Sequence, residues 1–182
     1  LKNKKIIGVT GTDGKTSICH FIADSLTSLG KKVGIISTEG NGVYPRLKHI
    51  GYTTPRNDLL YKEFDNFNIK KVDVIIIECS SQGLDQGRLS HIVFNDSIVT
   101  NLNKDHIEYH KTFKNYTKSK QKLLDMTIGN IFINLDCKNS ISKFNNIKKS
   151  QKIFYGSDID KEIIYNFIKK PDILENNFIK SN

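Results

Sequence analysis

The chain has 182 residues, 37% of them hydrophobic and 26% charged, which is enough apolar material for one continuous core and unlike a disordered segment. No apolar run approaches bilayer-spanning length, and the N-terminal Leu-Lys-Asn-Lys-Lys leads straight into a strand rather than a signal-peptide core; a cytoplasmic protein without membrane contact is expected, as a piece of a longer chain. The net charge of +9 raises nucleic acid as a partner, but the excess is scattered lysine, with arginine only at Arg46, Arg56 and Arg88; no nucleic-acid partner is expected, and an anionic small molecule fits the charge equally well.

Ile6 to Thr10 is a short apolar strand of the kind buried on both faces in a parallel sheet. Gly8 to Ser17 follows, reading Gly-Val-Thr-Gly-Thr-Asp-Gly-Lys-Thr-Ser. Its glycines free the backbone to turn N–H groups inward, as a loop at a helix N-terminus does around phosphate oxygens. Lys15 adds a mobile positive charge, and Thr16 puts a hydroxyl where phosphate loops hold magnesium. Val9 stands where the general pattern has its first glycine, so the loop is the shorter Gly11-x-x-Gly14-Lys15-Thr16. Taken alone, the same residues could be a tight turn with a solvated lysine.

Periodicity predicts a helix from Thr16 to Leu29 with Ile18, Phe21, Ile22, Leu26 and Leu29 inward and Gly30 as its stop. Val33 to Ser37 is the second strand. Thr38 to Asn57, punctuated by glycine and proline, reads as a long functional or mobile connection. Asn57 or Asp58 can cap a helix carrying Leu59, Leu60, Phe64 and Phe67. Val72 to Ile77 is the most apolar strand and is expected at the centre of the sheet, ending on Glu78. A polar segment from Ser80 to Arg88 precedes a strand at Ser97 to Asn101. Thr112 can cap a helix through about Met126 with Phe113, Tyr116, Leu123 and Leu124 inward. Strands at Ile131 to Asn134, Ile153 to Tyr155, Ile163 to Ile168 and Ile173 to Ile179 complete the reading. This alternation indicates an α/β protein with a mostly parallel sheet flanked by helices.

Cys19, Cys79 and Cys137 are widely spaced and odd in number, a reducing-compartment pattern; Cys19 and Cys79 are read as core fillers. Ligands of open parallel sheets bind beyond the carboxyl ends of the strands. The loop at 11–17, Thr38, residues 78–81 and residues 101–106 should therefore meet on one rim. Glu78 there suits magnesium, which takes few carboxylates, or else simply ends its strand and caps the next turn. His106, a lone histidine after a strand, is either a ligand or a hydrogen-bonded loop residue.

Several segments occur in the order found in Mur ligases: Gly-Thr-Asp-Gly-Lys-Thr-Ser at 11–17, Thr-Thr-Pro at 53–55, Glu-Cys-Ser-Ser-Gln-Gly-Leu-Asp-Gln-Gly-Arg at 78–88, Thr-Asn-Leu-Asn-Lys-Asp-His-Ile-Glu-Tyr-His at 100–110, and Tyr-Thr-Lys-Ser-Lys-Gln-Lys-Leu-Leu at 116–124. The chain thus resembles the central ATP-binding domain of that family, P-loop NTPase-like in fold, over residues 1–182. It is most similar to the branch adding the third amino acid, L-lysine or meso-diaminopimelate, to UDP-N-acetylmuramoyl-L-alanyl-D-glutamate in peptidoglycan synthesis. Departures are Asp13 for the usual Asn, Ser17 for Thr, Lys104 for Arg, and Lys111 for Gly.

The resemblance implies ATP-dependent formation of an acyl phosphate on the D-glutamate side chain, followed by attack of the incoming amine. It implies that Gly11, Thr12, Asp13, Gly14, Lys15, Thr16 and Ser17 hold ATP, and that Thr16 and Glu78 hold one magnesium while His106 reaches a second. Lys120 matches a family lysine carrying a carbamate that serves as a metal ligand. On spacing alone Lys111, Lys114, Lys118, Lys120 and Lys122 look like a solvated helix face. Thr53, Thr54, Ser80, Gln86 and Arg88 match groups contacting the UDP-muramoyl dipeptide. The uridine-binding and amino-acid-binding domains the resemblance implies do not fit in this chain, so it alone is expected to bind nucleotide weakly, as a monomer, and to make no product. A related folylpolyglutamate or cyanophycin synthetase, or a non-catalytic nucleotide-binding remnant, are the competing readings.

Overall fold

The computed structural model describes residues 4–144 and 151–156. In chain order the elements are β1 (Lys5–Thr10), α1 (Lys15–Ser28), β2 (Val33–Ser37), β3 (Gly40–Val43), β4 (Arg46–Lys48), α2 (Asn57–Ile69), β5 (Val74–Glu78), α3 (Ser81–Asp85), β6 (Asp96–Val99), α4 (Ile107–His110), α5 (Phe113–Asp125), β7 (Asn130–Asn134), α6 (Lys138–Phe144) and β8 (Gln151–Tyr155). The strands form one sheet in the order β4-β3-β2-β5-β1-β6-β7-β8. Neighbours from β2 to β8 run parallel, while β3 and β4 double back antiparallel at the edge.

Alternation along the strands sets the two faces. Ile6, Ile36, Ile75 and Ile77 pack with Leu60, Phe64 and Phe67 of α2. Ile7, Val9, Ile35 and Ile76 pack on the other face with Cys19 and Ala23 of α1. Toward the other edge, Val99, Ile131 and Ile133 join Tyr116 and Leu124 of α5 and Phe144 of α6. Both faces of β5 and β1 are therefore covered, which is why their sequences are nearly unbroken apolar runs. The expected central position of β5 holds.

Several expectations are corrected. On α1 the buried line is Cys19 and Ala23, with Ile18, Ile22 and Leu26 packed beside it. Phe21 and Leu29 are instead 65% and 75% exposed, since a step of two residues from Cys19 turns Phe21 about 200° around the helix. The connection from Thr38 to Asn57 is not featureless but holds the β3–β4 hairpin, turned at a cis Tyr44-Pro45 bond. Arg56, not Asn57, occupies the cap of α2 and supplies no side-chain bond; Asp58 lies in the first turn, where the helix dipole favours a carboxylate. The strand expected from Val72 begins at Val74, because the Val72 N–H is taken by Phe67 O at the end of α2 (3.0 Å). The polar segment after Glu78 contains α3, and α6 was not anticipated. The expected strands at 163–168 and 173–179 lie outside the described residues.

Candidate active site

The loop from Gly8 to Ser17 leaves β1 and enters α1. Gly14 has φ 75 and Gly11 φ 152, and a Cβ on Gly11 would stand 1.8 Å from Thr100 Oγ1, so only glycine lets the loop lie against the end of β6. The first half of the loop is fastened there. Asn101 Oδ1 accepts from the N–H groups of Thr12 (3.0 Å) and Asp13 (2.9 Å), and Thr100 Oγ1 donates to Asp13 O (2.6 Å). Thr12 Oγ1 also joins Asn103 and the Tyr116 hydroxyl (2.8 Å). The second half, from Gly14 to Ser17, opens α1, where no side chain caps the helix. Its leading N–H groups are thus the open donors of a helix N-terminus, the chemistry of an anion site. Lys15 Nζ donates back to Thr12 O at 2.7 Å.

Glu78 ends β5 beside this loop with 2% of its surface exposed. Its Oε2 accepts from Thr16 Oγ1 (3.0 Å) and from the Thr38 N–H (2.9 Å). Among the described residues no cationic side chain forms an ion pair with it. A buried carboxylate beside a hydroxyl suits a small hard cation, which needs only one or two protein carboxylates when phosphate oxygens and water complete its shell. No cluster of three or more His, Cys, Asp or Glu side chains able to hold a metal occurs among the described residues.

The solvated-face reading of the α5 lysines fails at Lys120. Lys111, Lys114 and Lys118 are exposed, but Lys120 is 1% exposed. Its Nζ donates to Gly11 O at 2.6 Å and lies 4.5 Å from the centroid of the Tyr116 ring, a cation–π distance. Burial, and then the charge of Lys15, lower its pKa from 10.5 to about 7, against the pull of Asp105. The helix buries this position because Tyr116, Leu123 and Leu124 share its inward face.

His106 caps α4 in the left-handed conformation (φ 51). Its imidazole pairs with Asp105 (3.3 Å) and Glu108 (3.7 Å). Among the described residues it forms no hydrogen bond with Thr16, Glu78 or Lys120. It is nevertheless carried by the segment whose start, Thr100 to Asn103, fastens the loop.

Thr53, Thr54, Ser80, Gln86 and Arg88 form a connected group around the end of β5. Thr54 Oγ1 donates to Glu78 O (2.8 Å) and accepts from the Ser80 N–H (2.9 Å). The Ser80 hydroxyl caps α3 by accepting from the Gly83 N–H (3.1 Å), and the Thr53 hydroxyl meets that of Thr38 (2.8 Å). Arg88 Nη1 donates to Thr54 O (2.6 Å), while its Nε and Nη2 both donate to Gln86 Oε1. Cys19 and Cys79 are fully buried, and burial pushes both thiols up, as core fillers require.

A family model described as the Mur ligase middle domain matches residues 9–178. The chain belongs to the Mur ligase family. It is 39% identical over 171 residues to the UDP-N-acetylmuramoyl-L-alanyl-D-glutamate--2,6-diaminopimelate ligase of Wigglesworthia glossinidia brevipalpis, covering 82% of this chain and 34% of that protein. A protein of the same description, numbered 1, from Clostridium acetobutylicum is 36% identical over 173 residues, covering 95% of this chain and 33% of that one. A solved structure of such a ligase superposes with TM-score 0.78 at 29% identity over 88% of this chain and 34% of the other. Crystalline MurF from Acinetobacter baumannii, at TM-score 0.63 and 16% identity over 85% of this chain and 32% of that one, shares the fold. The chain spans about a third of the length of these Mur ligases.

Within this Mur ligase domain, local sequence pattern does not reveal Thr100 and Asn101 as the clamp on the loop or Tyr116 as the wall beside Lys120. All three lie in the segments 100–110 and 116–124 that resemble the family, but only the fold shows that the end of β6 and α5 lean on Gly11. Asn41, 2% exposed between two glycines of β3, has neither amide atom hydrogen-bonded among the described residues. An amide flanked by glycines in a strand was the available signal for it.

Proposed function

We propose that this chain is the central ATP-binding domain, residues 1–182, of a ligase that joins the third amino acid, L-lysine or meso-diaminopimelate, to UDP-N-acetylmuramoyl-L-alanyl-D-glutamate in peptidoglycan synthesis. The observation that carries the reading is the 3.0 Å contact between Thr16 Oγ1, at the head of the glycine loop, and the buried carboxylate of Glu78. The names of the relatives support the substrate.

In this reading the loop from Gly11 to Ser17 cradles ATP phosphates. Gly14, Lys15, Thr16 and Ser17 provide the N–H groups, because those of Thr12 and Asp13 are committed to Asn101. Lys15 swings from Thr12 O onto the γ-phosphate. Thr16 and Glu78 would hold one magnesium ion and His106 a second, and the ions would supply charge neutralisation on the phosphoryl oxygens. Lys120, whose lowered pKa of about 7 leaves an appreciable share of the amine uncharged near neutral pH, is the amine that would take carbon dioxide: its neutral nitrogen would bond the carbon and give its proton to water, leaving an anionic carbamate suited to hold a metal in place of a repelled ammonium. Thr53, Thr54, Ser80, Gln86 and Arg88 orient the muramoyl dipeptide so that its D-glutamate carboxylate attacks the γ-phosphorus. The resulting acyl phosphate is opened by the amine of the incoming amino acid, and phosphate leaves. Uridine and amino-acid recognition are assigned to parts outside this domain. A cytoplasmic monomer working on small molecules, without nucleic acid or membrane, completes the reading.

The test is Lys15→Ala in the full-length protein, assayed for phosphate release with UDP-muramoyl dipeptide and each amino acid, and with a folate as alternative acceptor. Loss of turnover with an unchanged melting curve is expected. Retained turnover, or activity with the folate alone, refutes the proposal.

A further inference from the structure

Outside the phosphate loop, Tyr109, Asp85 and Lys122 extend the Gln86–Arg88 pair into one continuous hydrogen-bonded chain of five side chains. Tyr109, on α4, accepts through its hydroxyl from Gln86 Nε2 (3.1 Å) and directs its own proton toward Asp85 Oδ2 (3.4 Å). Asp85, the last residue of α3, is anchored to α5, since Lys122 Nζ donates to its carbonyl (2.9 Å) and lies 3.4 Å from its carboxylate. Gln86 Oε1 takes both the Nε and Nη2 donors of Arg88 (2.9 and 2.6 Å).

This arrangement fixes the carboxamide in one sense. A guanidinium has only donors and a carboxamide has one oxygen, so Gln86 must turn its oxygen to Arg88 and its nitrogen to Tyr109. The Tyr109 hydroxyl is the acceptor that makes this orientation complete. With Nη1 also spent on Thr54 O (2.6 Å), the fork of Arg88 is locked in plane. One N–H on each of Nη1 and Nη2 remains uncommitted among the described residues, leaving donors for an anionic oxygen.

We infer that Tyr109 is a positioning residue: through Gln86 it holds the Arg88 fork ready for an anionic group of the acceptor substrate, and it ties that fork to the helix capped by His106. The inference rests on the proposed substrate role of Arg88. Tyr109 touches neither the glycine loop nor Glu78 by any hydrogen bond among the described residues, so its influence falls on acceptor binding rather than on the nucleotide. Its ring also meets His110 edge-on at 4.7 Å, a contact that phenylalanine retains.

The experiment measures steady-state kinetics of the full-length protein with UDP-muramoyl dipeptide as the varied acceptor, for Tyr109→Phe, Gln86→Ala, the pair together, and Arg88→Ala. Loss of one neutral hydrogen bond predicts that Tyr109→Phe raises KM for the acceptor about fivefold, with KM for ATP and kcat within about twofold of the parent. In the Gln86→Ala background the same change should add nothing, because the two act in series. An unchanged acceptor KM in Tyr109→Phe, an equal rise in KM for ATP, or full additivity of the pair overturns the inference. Arg88→Ala separates the two levels: if it leaves acceptor KM unchanged, the substrate role of Arg88 fails, whatever Tyr109 does. A circular-dichroism melt of each variant identifies any that fails to fold, and Gln86→Glu, which keeps an oxygen for Arg88 while replacing the donor to Tyr109, then supplies the same comparison.

Discussion

Lys120 Nζ reaches Gly11 O at 2.6 Å across 109 residues of sequence. A buried amine thereby closes the back of the glycine loop, and its environment lowers its pKa to about 7.

That depression makes folding pH-dependent in a fixed direction. Between about 7 and 10.5 the unfolded chain holds a proton on Lys120 that the folded chain has released, so stability rises with pH across that window and is lowest below it. The slope should approach about 1 kcal/mol per pH unit. Urea melts of this chain from pH 7 to 8.5 should show the rise, and Lys120→Met should flatten it. Above about pH 9 the rise should level off, as the raised thiol of Cys79 makes the folded chain retain a proton that the unfolded one loses and so offsets the gain from Lys120.

Asp13 places an exposed carboxylate next to Gly14, at the mouth of the proposed phosphate site. Asp13→Asn removes a like charge from beside the triphosphate and should tighten binding of a magnesium–ATP analogue about threefold at low salt. The gain should shrink as salt screens the charge. Calorimetric titration of this chain at two ionic strengths checks both statements, and weaker binding by Asp13→Asn would count against a phosphate site at the loop.

Asn101 satisfies two loop N–H groups with one oxygen. Asn101→Ala strips that acceptor and should cost about 1–2 kcal/mol in urea melts. Asn101→Asp keeps the oxygen while losing the bond from Nδ2 to Asp13 O (3.3 Å), and should cost less. Equal losses in the two variants would show that the acceptor is not what matters.

Thr54 is 1% exposed and serves Glu78 and Ser80 at once. Thr54→Val keeps the shape but leaves the Ser80 N–H without its partner, predicting a loss of about 2 kcal/mol in chemical denaturation. Thr54→Ser, which retains the hydroxyl, should recover most of it.

Much of this was legible from sequence where local pattern suffices. The apolar runs of β1, β2 and β5 named their own strands, Gly11 to Ser17 named its own turn, and Thr112 caps α5 as expected, accepting from the Asn115 N–H. What was not legible depends on contacts between distant segments. The α5 lysines share one composition, yet Lys120 is buried because α5 leans on Gly11, a fact of tertiary packing that helical spacing does not carry. The hairpin within 40–48 was hidden by its glycines and by Pro45, which read as irregular chain. Gln86 bonds Arg88 locally, but its bond to Tyr109 spans 23 residues of sequence and exists only once α4 stands beside the end of α3.

The doubled-back β3–β4 hairpin also governs how the molecule meets its neighbours. An open sheet margin is a template on which another chain can pair. Here that margin is a strand of three residues, Arg46 to Lys48, whose two ends are exposed cations. A second molecule approaching from that side finds too little ladder to grip and a positive fence around it, so crowding should favour dispersed particles over growth of fibrils from this border.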